Sequence, residues 1–471
     1  MNISLIIVIL YIAALFIISA AAKKLTEKGA ENYILAGRNL NIPLVAVTIT
    51  GVAVGGASTI GVSEQAYSVG LAAGWYNVAW AVGAILMGVF AAGKYRSLNV
   101  STVPELFEKF YDTKGRIICV IGQIVIQIAA TSLQYVAGGA ILASMLPNIF
   151  SFRMGMITSA IVFIGITFIG GMWSAGLSNL LNVLLIYVGI TLATIRSIAD
   201  QGGISNIQAS LPSNIPYLSP VEGLGWITII SWLVVMITQS MSMQYSVQVS
   251  CSAKDKRTAK NGFIIGGLII LPIGFMAALL GISAKAAFPN ISATLALPKV
   301  IMSLNPVLAG VTLAALWAAD VSTACNLLLG SATLFSQDIY KRFINPKVSE
   351  KKFMIITKVS VVVLGLLTFI LALTIAEILK TLMVALSLAT AFTVVFIFTV
   401  YCPKLCRKNS AFYTTIAGIM VLLLWQLFPV MRVFPHVAYL EWIVCVATFL
   451  ITPLIDTEPH YKLNKVLELE Q

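Results

Sequence analysis

Asp320 stands in PVLAGVTLAALWAADVSTACNLLLG, an apolar run with no other charge. An ionisable side chain in such a run is expensive and marks a functional site by default. Three chemistries are open to it. It could neutralise a bound cation, titrate as a proton-coupling group, or only bond polar groups of neighbouring helices. A second concentration lies in PLVAVTITGVAVGGASTIGVSEQAYSVG, where Gly51, Gly55, Gly56 and Gly61 accompany Ser58 and Thr59. Glycine weakens helix propagation, so carbonyls freed in this stretch could face an ion. Close helix packing through small residues is the competing reading. A third is the set Gln123, Gln127 and Gln134. Gln127 and Gln134 share a helix face at their spacing. Buried amides need partners, which a solute, a water or another helix could supply.

Other reactive residue types form no constellation. Cys119, Cys251, Cys325, Cys402, Cys406 and Cys445 are scattered, and their spacing matches no zinc or redox motif. They read as packing residues or free thiols. His436 and His460 lie far along the chain, so no histidine relay is expected, and Glu64 reads as a wetted position. No nucleophile–base or metal constellation is present, which argues against an enzyme.

The elements that position these residues must be membrane helices. Of 471 residues, 59% are hydrophobic and only 10% charged. A soluble domain has roughly 45–50% apolar and about 25% charged residues, so a soluble enzyme or nucleic-acid binder is excluded. A spanning helix needs about 20 mostly apolar residues. The apolar runs predict an all-α integral membrane protein of about 13 spans, including 43–68, 72–93, 153–170, 177–198 and 224–249. The first run is followed, not preceded, by lysines, so it reads as an uncleaved span rather than a signal peptide. With the N-terminus outside, 24 of the 30 basic residues fall in cytoplasmic breaks. The exceptions are Arg153, Arg196, Lys285, Lys299, Lys380 and Arg432. The bias predicts a multi-pass cell-membrane protein, N-terminus outside and C-terminus cytoplasmic. The +12 net charge is then a topology signal, with contact to anionic lipid secondary.

Five segments, in order, resemble the sodium:solute symporter family. They are NYILAGRNL, GASTIGVSEQAYSVGL, STVPELFEKFY, MQYSVQVSCSAKDKRTAKNG and AADVSTACNLLLGSATLFSQDIYK. The resemblance implies the leucine-transporter fold, two inverted five-helix repeats with one leading and two trailing helices. The expected divisions are 1–42 (leading helix and linker), 43–203 (first repeat), 204–402 (second repeat) and 403–471 (trailing helices and tail). It also implies a sodium site of carbonyls at Gly51, Val54 and Ala319 and hydroxyls at Ser322 and Thr323. Ala319 lies one turn before the hydroxyl pair, so the three share a face. Unaided, Ser-Thr in a membrane helix more often bonds back to its own carbonyls. Where some relatives bind a second sodium, this chain has Asn179, Cys325 and Asn326. These suit a hard cation poorly, so one sodium per cycle is expected.

Transferring solute-contact positions of the family implies Ser58, Asn77, Trp80, Met243 and Tyr245, with Gln127 and Gln134 added from the amide pattern. No Arg or Lys falls within the core of these spans, and a strongly anionic solute usually needs one. The family's acidic sugar-contact position is Asn77 here. The expected cargo is therefore a small organic solute, an amino acid or other zwitterion or monocarboxylate, imported with sodium by alternating access. Proton coupling through Asp320, and a transporter-like membrane sensor, are the alternatives. The chain ends about 16 residues after its last run, so a sensor would need a separate signalling partner. The expected partners are solute, sodium ion and lipid bilayer, with no nucleic acid and no obligate protein.

Overall fold

The computed structural model describes residues 3–374 and 378–456, with the side chains of Met145 and residues 378–381 left aside. The expectations on His460, Lys462, Lys465 and the Lys380 side chain lie outside the described residues. The main helices are α1 (Ile3–Thr26), α2 (Ile42–Ala53), α3 (Val62–Val69), α4 (Trp75–Leu86), α5 (Val103–Phe110) and α6 (Thr113–Met145). They continue as α7 (Phe152–Asp200), α8 (Trp226–Ser242), α9 (Gln244–Ser252), α10 (Lys256–Ala287) and α11 (Pro306–Thr333). The last are α12 (Glu350–Ala372), α13 (Ile378–Ser387), α14 (Ala389–Tyr401), α15 (Ser410–Leu427) and α16 (Val437–Ile455).

Side-chain caps start many of them. Asn41, Thr102, Asp112, Asp255 and Asn305 each accept a backbone N–H from their helix's first turn. These bonds satisfy donors that have no intrahelical partner. α11 is the central post, buried from Thr312 to Thr333 without interruption. It packs on α1, α2, α6, α7 and α12. The opposite extreme is α1, α12, α15 and α16, where large apolar residues such as Ile9, Ile17, Leu366, Leu423 and Leu454 are exposed along the surface. An apolar surface of this kind is stable only against lipid tails.

Among the described residues, ten helices are long and apolar enough to cross a membrane, or eleven when α8 and α9, bent by 49° at Met243, count as one. This differs from the expected thirteen, and the reason lies in helix continuity. The runs 153–170 and 177–198 are joined in the 49-residue α7. The expected 43–68 is cut after Ala53, and its second half runs on into Leu98. α7 would be about 74 Å long if straight, against a hydrocarbon core of about 30 Å. It bends at Gly171, whose φ of 51° and ψ of −140° are outside the helical region. A Cβ there would press within 2.8 Å of the Tyr33 ring, and the Tyr33 hydroxyl donates to the Thr167 carbonyl (2.6 Å) beside the bend.

A candidate cation cradle beside an occluded cavity

α2 ends in the middle of the bundle. Val54 leaves the helical region (φ −95°, ψ 78°), and the chain resumes at Ala57 as a wide π-turn leading into α3. The last carbonyls of α2 therefore lack the ordinary helical donors. Side chains supply substitutes. Ser322 Oγ reaches the Gly51 carbonyl (2.8 Å) and its own Ala319 carbonyl (2.7 Å). Thr323 Oγ1 reaches Gly51 (2.9 Å), Val52 (3.1 Å) and Ala319 (3.2 Å) carbonyls. Ser58 Oγ donates to the Ala53 carbonyl. Two hydroxyl protons thus face three carbonyl oxygens across the α2–α11 contact. Such a surplus of oxygen lone pairs in a buried place suits a hard cation.

Four of the five sequence-derived ion ligands, Gly51, Ala319, Ser322 and Thr323, therefore converge. Val54 sits at the break itself. The two readings of the hydroxyl pair also merge, because the same oxygens bond back to Ala319 and across to α2. Gly51 leaves no room for a side chain, since a Cβ would sit 2.7–2.9 Å from the Asn179 amide. Asn182 Nδ2 donates to Asn179 Oδ1 (3.3 Å), and Tyr11 of α1 donates to Asn182 (2.8 Å). Cys325 points away, toward the Phe163 carbonyl (3.6 Å), and Asn326 Nδ2 donates to the Ser322 carbonyl (2.8 Å).

Asp320 is fully buried, and neither carboxylate oxygen has a hydrogen-bond partner among the described residues. It faces the α2–α3 break, where a Cβ on Gly56 would lie 2.7 Å from Oδ1. The Gly56 N–H donates to Gln134 Oε1 (2.9 Å).

A cavity of about 30 Å³ adjoins the cradle and is lined by Val52, Gly55, Tyr76, Trp80, Gln134, Tyr245 and Thr323, among others. That is about the volume of one water molecule, while solute pockets occupy roughly 300–1,000 Å³. The space between these side chains is therefore too small for a solute in this conformation. Of the sequence-derived solute residues, Trp80, Gln134 and Tyr245 line this cavity. Ser58 is turned back across the break to the end of α2. Asn77 is buried without a hydrogen-bond partner at the α4–α10 contact, and Gln127 is likewise unpartnered near Gly330. Met243 forms the α8–α9 bend. Gln123 bridges that bend, donating to the Ser242 carbonyl (2.8 Å) and accepting from the Gln244 N–H (3.2 Å). Sequence reasoning missed Tyr76, Leu382 and Leu386, which also line the cavity.

A larger vestibule of about 480 Å³ is lined by Gln65, Trp232, Met383, Val384, Arg432, His436 and neighbours. α13 divides the two spaces, with Leu382 and Leu386 on the cavity and Met383 and Val384 on the vestibule. Tyr76 and Trp232 pack edge to face across the same partition at 5.9 Å.

At the far end a charged cluster ties the elements together. Arg116 binds the fully buried Asp338 (2.6 and 2.9 Å) and also Glu108. Arg342 holds Glu108 (2.7 Å), and Thr102 donates to Asp338 (2.9 Å). Burial pushes the Glu108 carboxyl up, but hydrogen bonds from Arg342 and Arg116 outweigh it and hold it at about 2. Sequence reading counted Arg116 and Arg342 only as topology charges and gave Glu108, Asp338 and Thr102 no role.

An all-α bundle with a helix broken beside an oxygen cradle and an occluded cavity defines a polytopic membrane transporter. The profile of the Sodium:solute symporter family matches residues 33–418. The chain belongs to that family, a family of transporters rather than enzymes. It is 26% identical over 378 residues to the sodium/glucose cotransporter of Vibrio parahaemolyticus, covering 72% of this chain and 68% of the relative. It is 24% identical over 382 residues to the osmoregulated proline transporter of Bacillus subtilis (strain 168), covering 78% and 76%. In fold it is similar to a Na+-coupled sialic acid symporter solved in a substrate-bound outward-open state, with TM-score 0.82 and 19% identity over 96% of this chain and 98% of that one. That likeness places the fold among leucine-transporter-like inverted-repeat proteins.

Proposed function

We propose that this protein is a sodium-coupled symporter that carries a small organic solute across the membrane by alternating access. The observation that carries the reading is the meeting of the Ser322 and Thr323 hydroxyls with the Gly51 and Ala319 carbonyls at a helix break, one wall away from the cavity. Sodium binds there through Gly51, Val54, Ala319, Ser322 and Thr323, one ion per cycle. Inward movement of the charge releases about 2.3 kcal/mol per 100 mV. That supports roughly fiftyfold accumulation of a neutral solute. Trp80, Gln134 and Tyr245 contact the solute, and Ser58, Asn77, Gln127 and Met243 contribute once the cavity opens. Among the described residues the walls carry aromatic rings and an amide but no basic side chain. This favours an amino acid or another zwitterion or monocarboxylate, a choice supported by the proline carrier among the relatives.

The finer topology follows the bends. With α7 divided at Gly171, and α2–α3 separated from α4 at Gly70 (φ 80°), the chain makes thirteen crossings, N-terminus outside and C-terminus inside. A surface cavity lined by Lys94, Lys256, Arg257 and Lys260 supports a cytoplasmic end there. Residues 43–203 and 204–402 are the two repeats. Each opens with a broken helix, α2–α3 in one and α8–α9 in the other, which supports that division; 1–42 leads and 403–471 trails. Asp320, buried and unpartnered beside the break, favours a second reading in which a proton shares the coupling.

The test is uptake into proteoliposomes under an imposed sodium gradient, with a labelled panel of amino acids, monocarboxylates and sugars. Uptake driven by sodium and not by choline is expected. Uptake that ignores sodium but follows an imposed pH gradient, and is lost in Asp320→Asn, would replace sodium by the proton.

A further inference from the structure

Glu441 is a second carboxylate inside the bundle, and nothing in the symport reading uses it. It lies on α16, one turn below Val437, and is fully buried. Neither of its oxygens has a hydrogen-bond partner among the described residues. The hydroxyls of Ser387 and Thr390 interact with it without reaching hydrogen-bond geometry. Thr390 Oγ1 is itself buried and unpartnered, while Ser387 Oγ donates to the Val384 carbonyl (2.9 Å) and keeps its lone pairs.

These two hydroxyls sit on either side of an interruption. Ser387 ends α13, Thr390 lies in the first turn of α14, and Leu388 between them is outside both helices. α13 is the partition between cavity and vestibule. Val437 and His436 line that vestibule, so Glu441 is one turn from water.

Among the described residues the surroundings offer no compensating charge. α8, α14 and α15 bring no charged side chain into this layer. On α16 the titratable neighbours are Cys445, one turn further in, and Tyr439, whose hydroxyl meets Ser231. His436, at the start of α16, is held by burial at about 4 and is neutral at pH 7. Arg432 bonds the Trp425 carbonyl (3.3 Å), and the Lys380 side chain on α13 lies outside the described residues. A bare carboxylate in such a place costs several kcal/mol. Four oxygens with no fixed cation among the described residues make a receptor for a hard monovalent cation.

We propose that Glu441, Ser387 and Thr390 form a second cation site, for one proton or one sodium ion, filled from the outer vestibule. The bound cation ties α16 to both halves of the interrupted gate helix, so its occupancy favours the closed outer gate. The proposal is independent of the cradle at Ser322 and Thr323.

The experiment uses the full-length purified protein with Ser322→Ala and Thr323→Val, which silences the first cradle. Melting temperature is followed against pH at fixed sodium, then against sodium at fixed pH with choline as balance. A stabilisation that survives in this background and disappears on adding Glu441→Gln is expected. Dependence on pH alone assigns the proton, and dependence on sodium at constant pH assigns sodium. Thr390→Val, which keeps the carboxylate, should move the midpoint about tenfold in cation activity. It carries the test should Glu441→Gln not fold. A cation response unchanged by Glu441→Gln, or a midpoint unmoved by Thr390→Val, would overturn the site. Failure of the symport reading shows separately, as a wild-type protein whose sodium response ignores Ser322 and Thr323.

Discussion

Removing the cradle hydroxyls without changing side-chain shape separates ion binding from helix packing. Thr323→Val and Ser322→Ala delete the Oγ atoms that meet Gly51, Val52 and Ala319 at 2.7–3.2 Å. Two consequences differ in size and in sodium dependence. Without sodium, each hydroxyl is a neutral bond between α2 and α11, so its loss lowers stability by about 1 kcal/mol in any salt. With sodium bound, the same oxygen faces a full charge, a contact of about 1.5–3 kcal/mol. The difference, about 0.5–2 kcal/mol, is what sodium binding loses, so each single variant should raise the half-saturating sodium concentration roughly 2- to 30-fold. At a sodium concentration of about 100 times the wild-type Kd, the ion contributes about 2.7 kcal/mol, and a tenfold weaker site forfeits about half of that. The assay is melting temperature in sodium against choline chloride over a sodium titration, repeated as sodium-dependent uptake. Equal losses in both salts, with an unmoved sodium midpoint, would refute the ion cradle and leave the hydroxyls as a clasp between helices.

Three further outcomes follow from the geometry. Arg116→Met leaves the fully buried Asp338 without its cation and should cost roughly 3–5 kcal/mol; adding Asp338→Asn should recover part of the loss in the same denaturation assay. Glu108 is held at about 2 against a usual 4.5, so its stabilisation is complete above about pH 4.5 and fades as pH falls toward 2. Glu108→Gln should flatten that acid limb of the melting curve, and an unaltered limb would place acid sensitivity elsewhere. Trp232→Ala removes the edge-to-face contact with Tyr76, worth about 0.5–1.5 kcal/mol. The outward-open population should rise about two- to tenfold, read as faster labelling from outside of a cysteine placed at Ala53.

The oxygen cradle was more legible in the sequence than the lining of the cavity, for a physical reason. The cradle is made of backbone carbonyls and small hydroxyls on two segments whose helix breaks and spacing leave marks: glycines at Gly51, Gly55 and Gly56, and Ser322–Thr323 one turn after Ala319. Solute contacts depend on which face of each helix turns inward. Trp80, Gln134 and Tyr245 reach the cavity, while Ser58 turns back onto Ala53 and Asn77 onto the α4–α10 contact. The thirteen apolar runs carry no sign of whether the chain between two of them bends or continues. Gly171 bends α7 without a polar loop, and the residue packed at the bend, Tyr33, is far away in sequence. Arg116, Glu108, Arg342 and Asp338 could be read as loop charges but not as one cluster, because their pairing spans more than two hundred residues. Glu441 could have been found by the signal that marked Asp320, a lone carboxylate in an apolar run.

On the proposed function, coupling of ion and solute rests on residues that the cradle and the cavity wall share. Thr323 and Val52 belong to both the cradle and the cavity wall. Gly55 lines the cavity, and a Cβ on it would meet the Gln134 amide at 2.7 Å. In the proposed reading, a cation at the cradle would replace hydroxyl protons at the Gly51 and Val52 carbonyls and hold Thr323, and a solute against Gln134 and Tyr245 would order the same break from the other side. Whatever factor sodium adds to solute affinity, solute must add to sodium affinity. The collapsed cavity adds the second requirement for symport. With about 30 Å³ of space, neither ligand can be carried unless the partition at α13, Tyr76 and Trp232 first opens.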